Sequence, residues 1–229
     1  MLVKICGITS EGDAMLALGL GANALGFIFA PSPRQVSVRA VQQIVDRLPR
    51  GEAMTVGVFR DELPDRVVEI VNTLGLRAAQ LHGHETAEQT RWVAERVPFT
   101  IRALPAGHVE IARAVSHGAS VVLVDSASPG SGRVFDWRLA EGVVDPGRLI
   151  VSGGLHAGNV ADAVAHLHPF GVDVCSGVEA EPGRKDPHKL RAFVVAARQA
   201  ALSAGIGDDE AASSDTGGDD GPFDWQEEA

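Results

Sequence analysis

The sequence contains no tyrosine, two cysteines, and only three lysines among its 20 basic residues. Two cysteines, Cys6 and Cys175, can build neither a disulfide framework nor a four-thiolate zinc site, and a reducing cytoplasm is the expected location. No apolar run approaches the ~20 residues that cross a bilayer, which argues against a membrane-spanning helix. The opening segment MLVKICGITS lacks a long apolar stretch ahead of a small-residue cleavage site, so no secretory signal is expected.

What is present is an ordinary globular composition. The 229 residues are 45% hydrophobic and 22% charged, enough to bury a sizeable core. The net charge of −10 is unevenly placed. Residues 207–229 hold nine of the 30 acidic residues and no lysine or arginine, which leaves 21 acids against 20 basic residues in the body. A nearly neutral body argues against nucleic acid as a partner. The tail, rich in Gly, Ser and Asp, is expected to be disordered, and residues 1–206 to form one domain.

That body alternates short β-branched runs with amphipathic segments. Strands are predicted at Leu2–Cys6, Ala24–Phe29, Thr55–Phe59, Ala78–Leu81, Phe99–Ala103, Ser120–Asp125, Leu149–Ser152 and Gly171–Cys175. Runs such as VVLV at 121–124 suit parallel strands covered by helices. Helical spacing follows Pro64 in Val67, Ile70, Val71 and Leu74, with Gly75 as the stop, and recurs from Val160 and from Leu190. Ser10 with Asp13 suggests a capping box, although Glu or Gln is the usual partner. Eight strands at intervals of 20 to 30 residues fit a (β/α)8 barrel. An open doubly wound sheet shares the alternation, but it needs fewer strands, and the first turn, CGITSEGD, lacks GxGxxG. The segment from Ser126 to Pro146 leaves room only for a short, interrupted helix.

In such a barrel the chemistry sits at the C-terminal ends of the strands. Cys6 closes the first, Arg34 follows the second in APSPR, and His82 ends the fourth in QLHG. Asp125 closes VVLV, where a carboxylate is costly without a partner or a task. Lys4 shares the parity of Cys6 and points inward, with Asp173 and Asp125 the inward acids available. For Cys6 a plain buried-thiol role competes with catalysis, and for His82 turn-capping does. Gly153 and Gly154 after the seventh strand, and Ser176 and Gly177 opening a short helix after the eighth, fit an anion site such as phosphate; ordinary turn glycines are the alternative.

Taken together, VKICGIT at 3–9, GANALGFIFAPSPRQVS at 21–37, QLHG at 80–83, VDSASPGSGRVFDW at 124–137, SGGLHAGNV at 152–160 and GVDVCSGVEAEPGRKD at 171–186 resemble the phosphoribosylanthranilate isomerases of tryptophan biosynthesis. The resemblance spans roughly residues 2 to 200. It implies a barrel that carries out a cofactor-free Amadori rearrangement of a small phosphosugar substrate. It also implies Asp125 as general acid, Cys6 as general base, Arg34 on the anthranilate carboxylate, Asp173 as a further acid, and phosphate on the two glycine turns. These residue types suit the chemistry. A buried carboxylic acid can protonate the furanose oxygen. A thiolate near positive charge can remove the C2′ proton. An arginine can grip a carboxylate by its fork.

Three small substitutions depart from the family pattern. PGSG at 129–132 replaces the usual Gly-Thr-Gly, Ser152 an alanine, and Cys175 a serine. The related isomerase of histidine biosynthesis is a poor match, since it expects an aspartate where Cys6 stands and a second phosphate loop. A non-catalytic phosphosugar-binding barrel would be favoured by loss of acid or base, and both are present. Strands one and eight adjoin in a closed barrel, so the sulfurs of Cys6 and Cys175 are expected within ~10 Å, about two strand spacings. The repeated Phe-Asp-Trp at 135–137 and 223–225 reads as coincidence.

Overall fold

A computed structural model describes residues 1–49, 51–126 and 136–206. Eight strands run β1 (Leu2–Cys6), β2 (Ala24–Ile28), β3 (Met54–Phe59), β4 (Ala78–Leu81), β5 (Thr100–Pro105), β6 (Val121–Asp125), β7 (Leu149–Val151) and β8 (Gly171–Val174). They close into one barrel in sequence order. Every neighbouring pair is parallel, and β8 returns to β1 with Lys4 opposite Asp173 and Ile5 opposite Val174. Each strand is therefore buried on both faces, which is why these segments read as nearly continuous apolar runs. One apolar cluster, including Val56, Val58, Ile101, Leu123 and Ile150, fills the barrel interior together with Cys6. A larger one packs the outer strand faces against the helices.

Among the described residues six α-helices complete the barrel: α1 (Glu11–Gly19), α2 (Val38–Val45), α3 (Pro64–Thr73), α4 (Ala87–Ala94), α5 (Val160–Leu167) and α6 (Pro187–Ser203). Their starts are chemically specified. Pro64 opens α3 at a position where its missing N–H is not needed. Thr86 and Gln89 form a full capping box on α4. The box predicted at Ser10 is half made. The Ser10 hydroxyl accepts from Asp13 N, but the Asp13 carboxylate instead accepts from the Lys185 amide at 3.2 Å.

Three regions differ from the simple alternation. After β5 the chain makes only a 3-10 turn at Ile111–Arg113, between glycines 107 and 118 in left-handed conformations. Such glycines end a helix rather than extend it. After β8 comes a short hairpin that was not predicted, β9 (Glu179–Glu181) and β10 (Arg184–Lys185), turning at Pro182-Gly183. Between β6 and β7 the described residues form 3-10 turns at Trp137–Leu139 and Pro146–Arg148. The PGSG departure, residue 135 of the first Phe-Asp-Trp and the acidic tail lie outside the described residues. Among those described, no helix is long and apolar enough to cross a membrane.

Candidate active site

The C-terminal mouth of the barrel opens into a cavity of about 880 Å3. Cys6, Arg34, Asp125, Gly153, Gly154, Asp173, Ser176 and Gly177 all line it, so the structure gathers these residues around one space, with His82 among them. What differs from expectation is how they are paired.

At the floor, Lys4 is fully buried and donates to Asp173 at 2.7 Å. Asp173 also accepts from the Ser152 hydroxyl at 2.9 Å. Burial alone would pull Lys4 down, but the Asp173 charge beside it holds the ammonium above its usual range. Of the two acids available to Lys4, Asp173 is the partner. Above this pair sits Cys6, with Lys4 Nζ and the Cys6 sulfur both against Gly26, where a Cβ would come within 3.1 and 2.9 Å of them.

Cys6 and Cys175 are free thiols at the adjoining ends of β1 and β8, just past the register pair Ile5–Val174. The Cys175 side chain beside it lowers the Cys6 thiol to about 6 against the opposing effect of burial. Lys4 and Lys185 add to the fall, and Asp173 opposes it. The Cys6 side chain, together with burial, pushes the Cys175 thiol well above its usual range.

Asp125, at the end of β6, lies three strands round the barrel from Cys6 by way of β8 and β7. One of its carboxylate oxygens accepts from Ser126 N at 2.6 Å. The other faces His82 Nε2 at 3.4 Å. His82 Nδ1 lies 3.1 Å from Gln80 Nε2; with the amide as donor, the imidazole proton sits on Nε2 and points at Asp125. His82 thus faces the Asp125 carboxyl rather than capping a turn. Gly153, with φ +81°, cannot be replaced cheaply, because a side chain there would press within 2.7 Å of Asp125 Oδ1 and 2.5 Å of Ser126 N. Gly177 is confined likewise by the Leu155 carbonyl. Ser176–Val178 forms a single 3-10 turn, shorter than the helix predicted there.

Arg34 departs most from expectation. Its fork is taken by Glu179: Nε lies 2.8 Å from Oε1, and Nη2 lies 2.7 Å from Oε2. The bidentate grip anticipated for a substrate carboxylate is therefore spent on a buried glutamate that needs cations, and Nη1 is the edge left over. Burial alone would raise Glu179, but Arg34 and Lys185 hold its carboxyl below the usual range. Lys185, itself buried, donates to Glu179, to the Cys6 carbonyl at 2.6 Å and to the Cys175 carbonyl at 3.3 Å.

Sequence reasoning missed Glu179 and Lys185 as site residues. The Pro182-Gly183 dipeptide was the available signal, because a tight hairpin there sets Glu179 opposite Lys185. It also missed Arg102, which is buried and ties the loop after β4 through Glu85 and the carbonyls of Leu81 and Gly83. Among the described residues no group of three or more His, Cys, Asp or Glu could hold a metal ion.

Comparison with known proteins gives a consistent answer. Residues 3–196 match the profile of the family described as N-(5'phosphoribosyl)anthranilate (PRA) isomerase. A curated relative of that name from Desulforudis audaxviator is 45% identical over 206 residues, covering 87% of this chain and 98% of its own. The crystal structure of phosphoribosyl anthranilate isomerase from Thermus thermophilus is 38% identical, with a TM-score of 0.80 over 87% of this chain and 99% of that one. Another isomerase structure, 36% identical with a TM-score of 0.76, covers 87% of this chain and 100% of its own, and was solved in complex with reduced 1-(o-carboxyphenylamino)-1-deoxyribulose 5-phosphate. The chain belongs to the N-(5′-phosphoribosyl)anthranilate isomerase family.

Proposed function

We propose that the chain catalyses the Amadori rearrangement of N-(5′-phosphoribosyl)anthranilate to 1-(o-carboxyphenylamino)-1-deoxyribulose 5-phosphate, the isomerase step of tryptophan biosynthesis, with no cofactor. The observation that carries this reading is the pairing of an activated thiol, Cys6, with a carboxyl, Asp125, on separate walls of one cavity. A base and an acid on different strands can act on two atoms of one bound sugar without neutralising each other.

In this reading Asp125 gives a proton to the furanose ring oxygen as the C1′–O bond breaks, and the anilino nitrogen lone pair forms a C1′=N iminium. The iminium acidifies C2′–H. The Cys6 thiolate takes that proton, and the electron pair moves into a C1′=C2′ enamine, which becomes the ketose as C1′ gains a proton and the enol oxygen loses one. His82 steadies Asp125. Arg34, through its remaining Nη1 edge, faces the substrate carboxylate. Asp173 keeps Lys4 charged beneath the thiolate. The phosphate falls on the turns of Gly153, Gly154, Ser176 and Gly177, where exposed backbone N–H groups favour an anion.

The test is the loss of phosphoribosylanthranilate fluorescence with the purified full chain. Turnover that disappears in Cys6→Ala and in Asp125→Ala is expected; no fluorescence decay with the wild-type chain overturns the activity.

A further inference from the structure

Arg102 sits where a charge is costly. Its neighbours on β5, Ile101 and Ala103, point into the cluster that fills the barrel, so Arg102 starts from the opposite face, the apolar layer beneath the helices. It is buried all the same, and its salt bridge goes to Glu85, a buried carboxylate 2.8 Å away. Arg102 also lines the cavity, where a cation invites an anionic group of the substrate. Its hydrogen bonds point elsewhere. Nη1 donates to the Leu81 carbonyl at 2.9 Å, to Glu85 Oε2 at 2.8 Å and to the Ala103 carbonyl at 3.1 Å. Nη2 donates to the Gly83 carbonyl at 3.0 Å and to the Glu85 carbonyl at 3.1 Å. Both terminal nitrogens are occupied by the protein itself, which leaves no fork for a substrate anion.

What these bonds hold is His82. Leu81 and Gly83 flank it in the chain, and Arg102 grips the carbonyl of each. Glu85 completes the clamp: Oε2 accepts from Gly83 N at 2.8 Å, and Oε1 accepts from Asp61 N at 3.0 Å. The His82 N–H itself donates to the Phe59 carbonyl at 2.9 Å. With its backbone fixed on both sides, the imidazole lies between Gln80 at one edge, 3.1 Å away, and Asp125 at the other, 3.4 Å away. A buried arginine on β5 thereby governs, through the end of β4, what stands against the carboxyl at the end of β6.

We propose that Arg102 is a positioning residue for the acid: by clamping the backbone on either side of His82, it holds the imidazole against Asp125. This rests on the reading of Asp125 as general acid, with His82 beside it. The guanidinium suits the task. Its planar fork spreads donors over both carbonyls and the Glu85 carboxylate at once. A lysine ammonium is a point charge that can keep the Glu85 pair but cannot span the rest. The contact it protects is sensitive. At 3.4 Å, His82 and Asp125 are already far apart for a hydrogen bond, so a small shift of the loop after β4 breaks it.

The experiment measures kcat and KM of the full-length chain carrying Arg102→Lys, His82→Ala or both. Arg102→Lys should lower kcat about tenfold, the scale on which a slightly misplaced group slows a reaction. KM should stay within about twofold of wild type, because no substrate contact is lost. His82→Ala should lower kcat by a similar factor. The double variant should fall no further than His82→Ala alone, since a clamp has no effect once the ring it holds is gone. A general weakening of the fold would not produce that coupling. Glu85→Gln, which removes the charge anchoring Arg102, carries the same test if the lysine variant does not fold: a lower kcat at unchanged KM that vanishes in the His82→Ala background. Losses that multiply in the double variant overturn the proposal. So does wild-type kcat in Arg102→Lys, and a raised KM beside it would make Arg102 a substrate contact instead. Failure of the acid reading looks different: Asp125→Ala would then keep its turnover.

Discussion

The proposed base and acid, Cys6 and Asp125, set the scale of what their loss should cost. Cys6→Ala and Asp125→Ala should each lower kcat by at least ~10²-fold, the usual cost of losing a general base or acid. Steady-state assays across pH test a second consequence. In the proposed mechanism the base works as the thiolate and the Cys6 thiol is lowered to about 6, so kcat/KM should rise with pH through that value. Below it, the loss should be about tenfold per pH unit. Arg34 calls for a double readout, because it is bound to Glu179 and is also the residue proposed to meet the substrate carboxylate. Arg34→Ala should raise KM, since the carboxylate it meets is present in ground and transition states alike. It should also destabilise the fold by roughly 3 kcal/mol, the scale for stranding a buried partner. A raised KM with an unchanged denaturation midpoint would separate the substrate contact from the Glu179 pair and contradict the second half of this expectation.

The β9–β10 hairpin does more than connect β8 to α6. It carries Glu179 and Lys185 back over the barrel mouth, where Lys185 joins the carbonyl ends of β1 and β8, and its amide reaches Asp13 at the start of α1. One short element therefore closes the seam at which the barrel begins and ends. Lys185→Met keeps much of the side-chain volume but removes three hydrogen bonds and leaves two carbonyls without that donor. It should cost roughly 3 kcal/mol or more in urea or guanidinium unfolding, and it should slow turnover because Cys6 and Cys175 lose their common anchor. Full activity and an unchanged midpoint would show that the hairpin only covers the site. A comparable substitution at Lys189, which donates to the Glu179 carbonyl from α6 and touches neither cysteine, should have the smaller effect.

At the scale of the whole molecule, the eight strands were legible because a strand buried on both faces writes an uninterrupted apolar run, and their bounds differ from the prediction only at the ends. The site was legible at the strand ends for the same reason: Cys6 and Asp125 stop such runs. The pairings were not legible. That Lys4 meets Asp173 and Arg34 meets Glu179 depends on barrel closure, which brings residues 169 and 145 positions apart into contact and leaves no local trace. The missing helix after β5 failed for a local reason, since Gly107 and Gly118 could have been read as breakers at both ends. The acidic tail poses the last question at this scale. α6 ends at Ser203, Ile206 N is already tied back to Ala201 O at 2.9 Å, and the family match ends at residue 196. Nothing in the barrel described through residue 206 waits for a further strand or helix. Residues 207–229 bring nine acids and no lysine or arginine, and the substrate is itself an anion, so the tail can offer it no attraction. Deleting 207–229 should therefore leave kcat unchanged and shift the melting temperature by less than ~2 °C, below what 1 kcal/mol moves in a domain of this size. A larger fall in melting temperature, or a raised KM in the truncated chain, would mean that the acidic segment belongs to the working enzyme and that the domain does not end at residue 206.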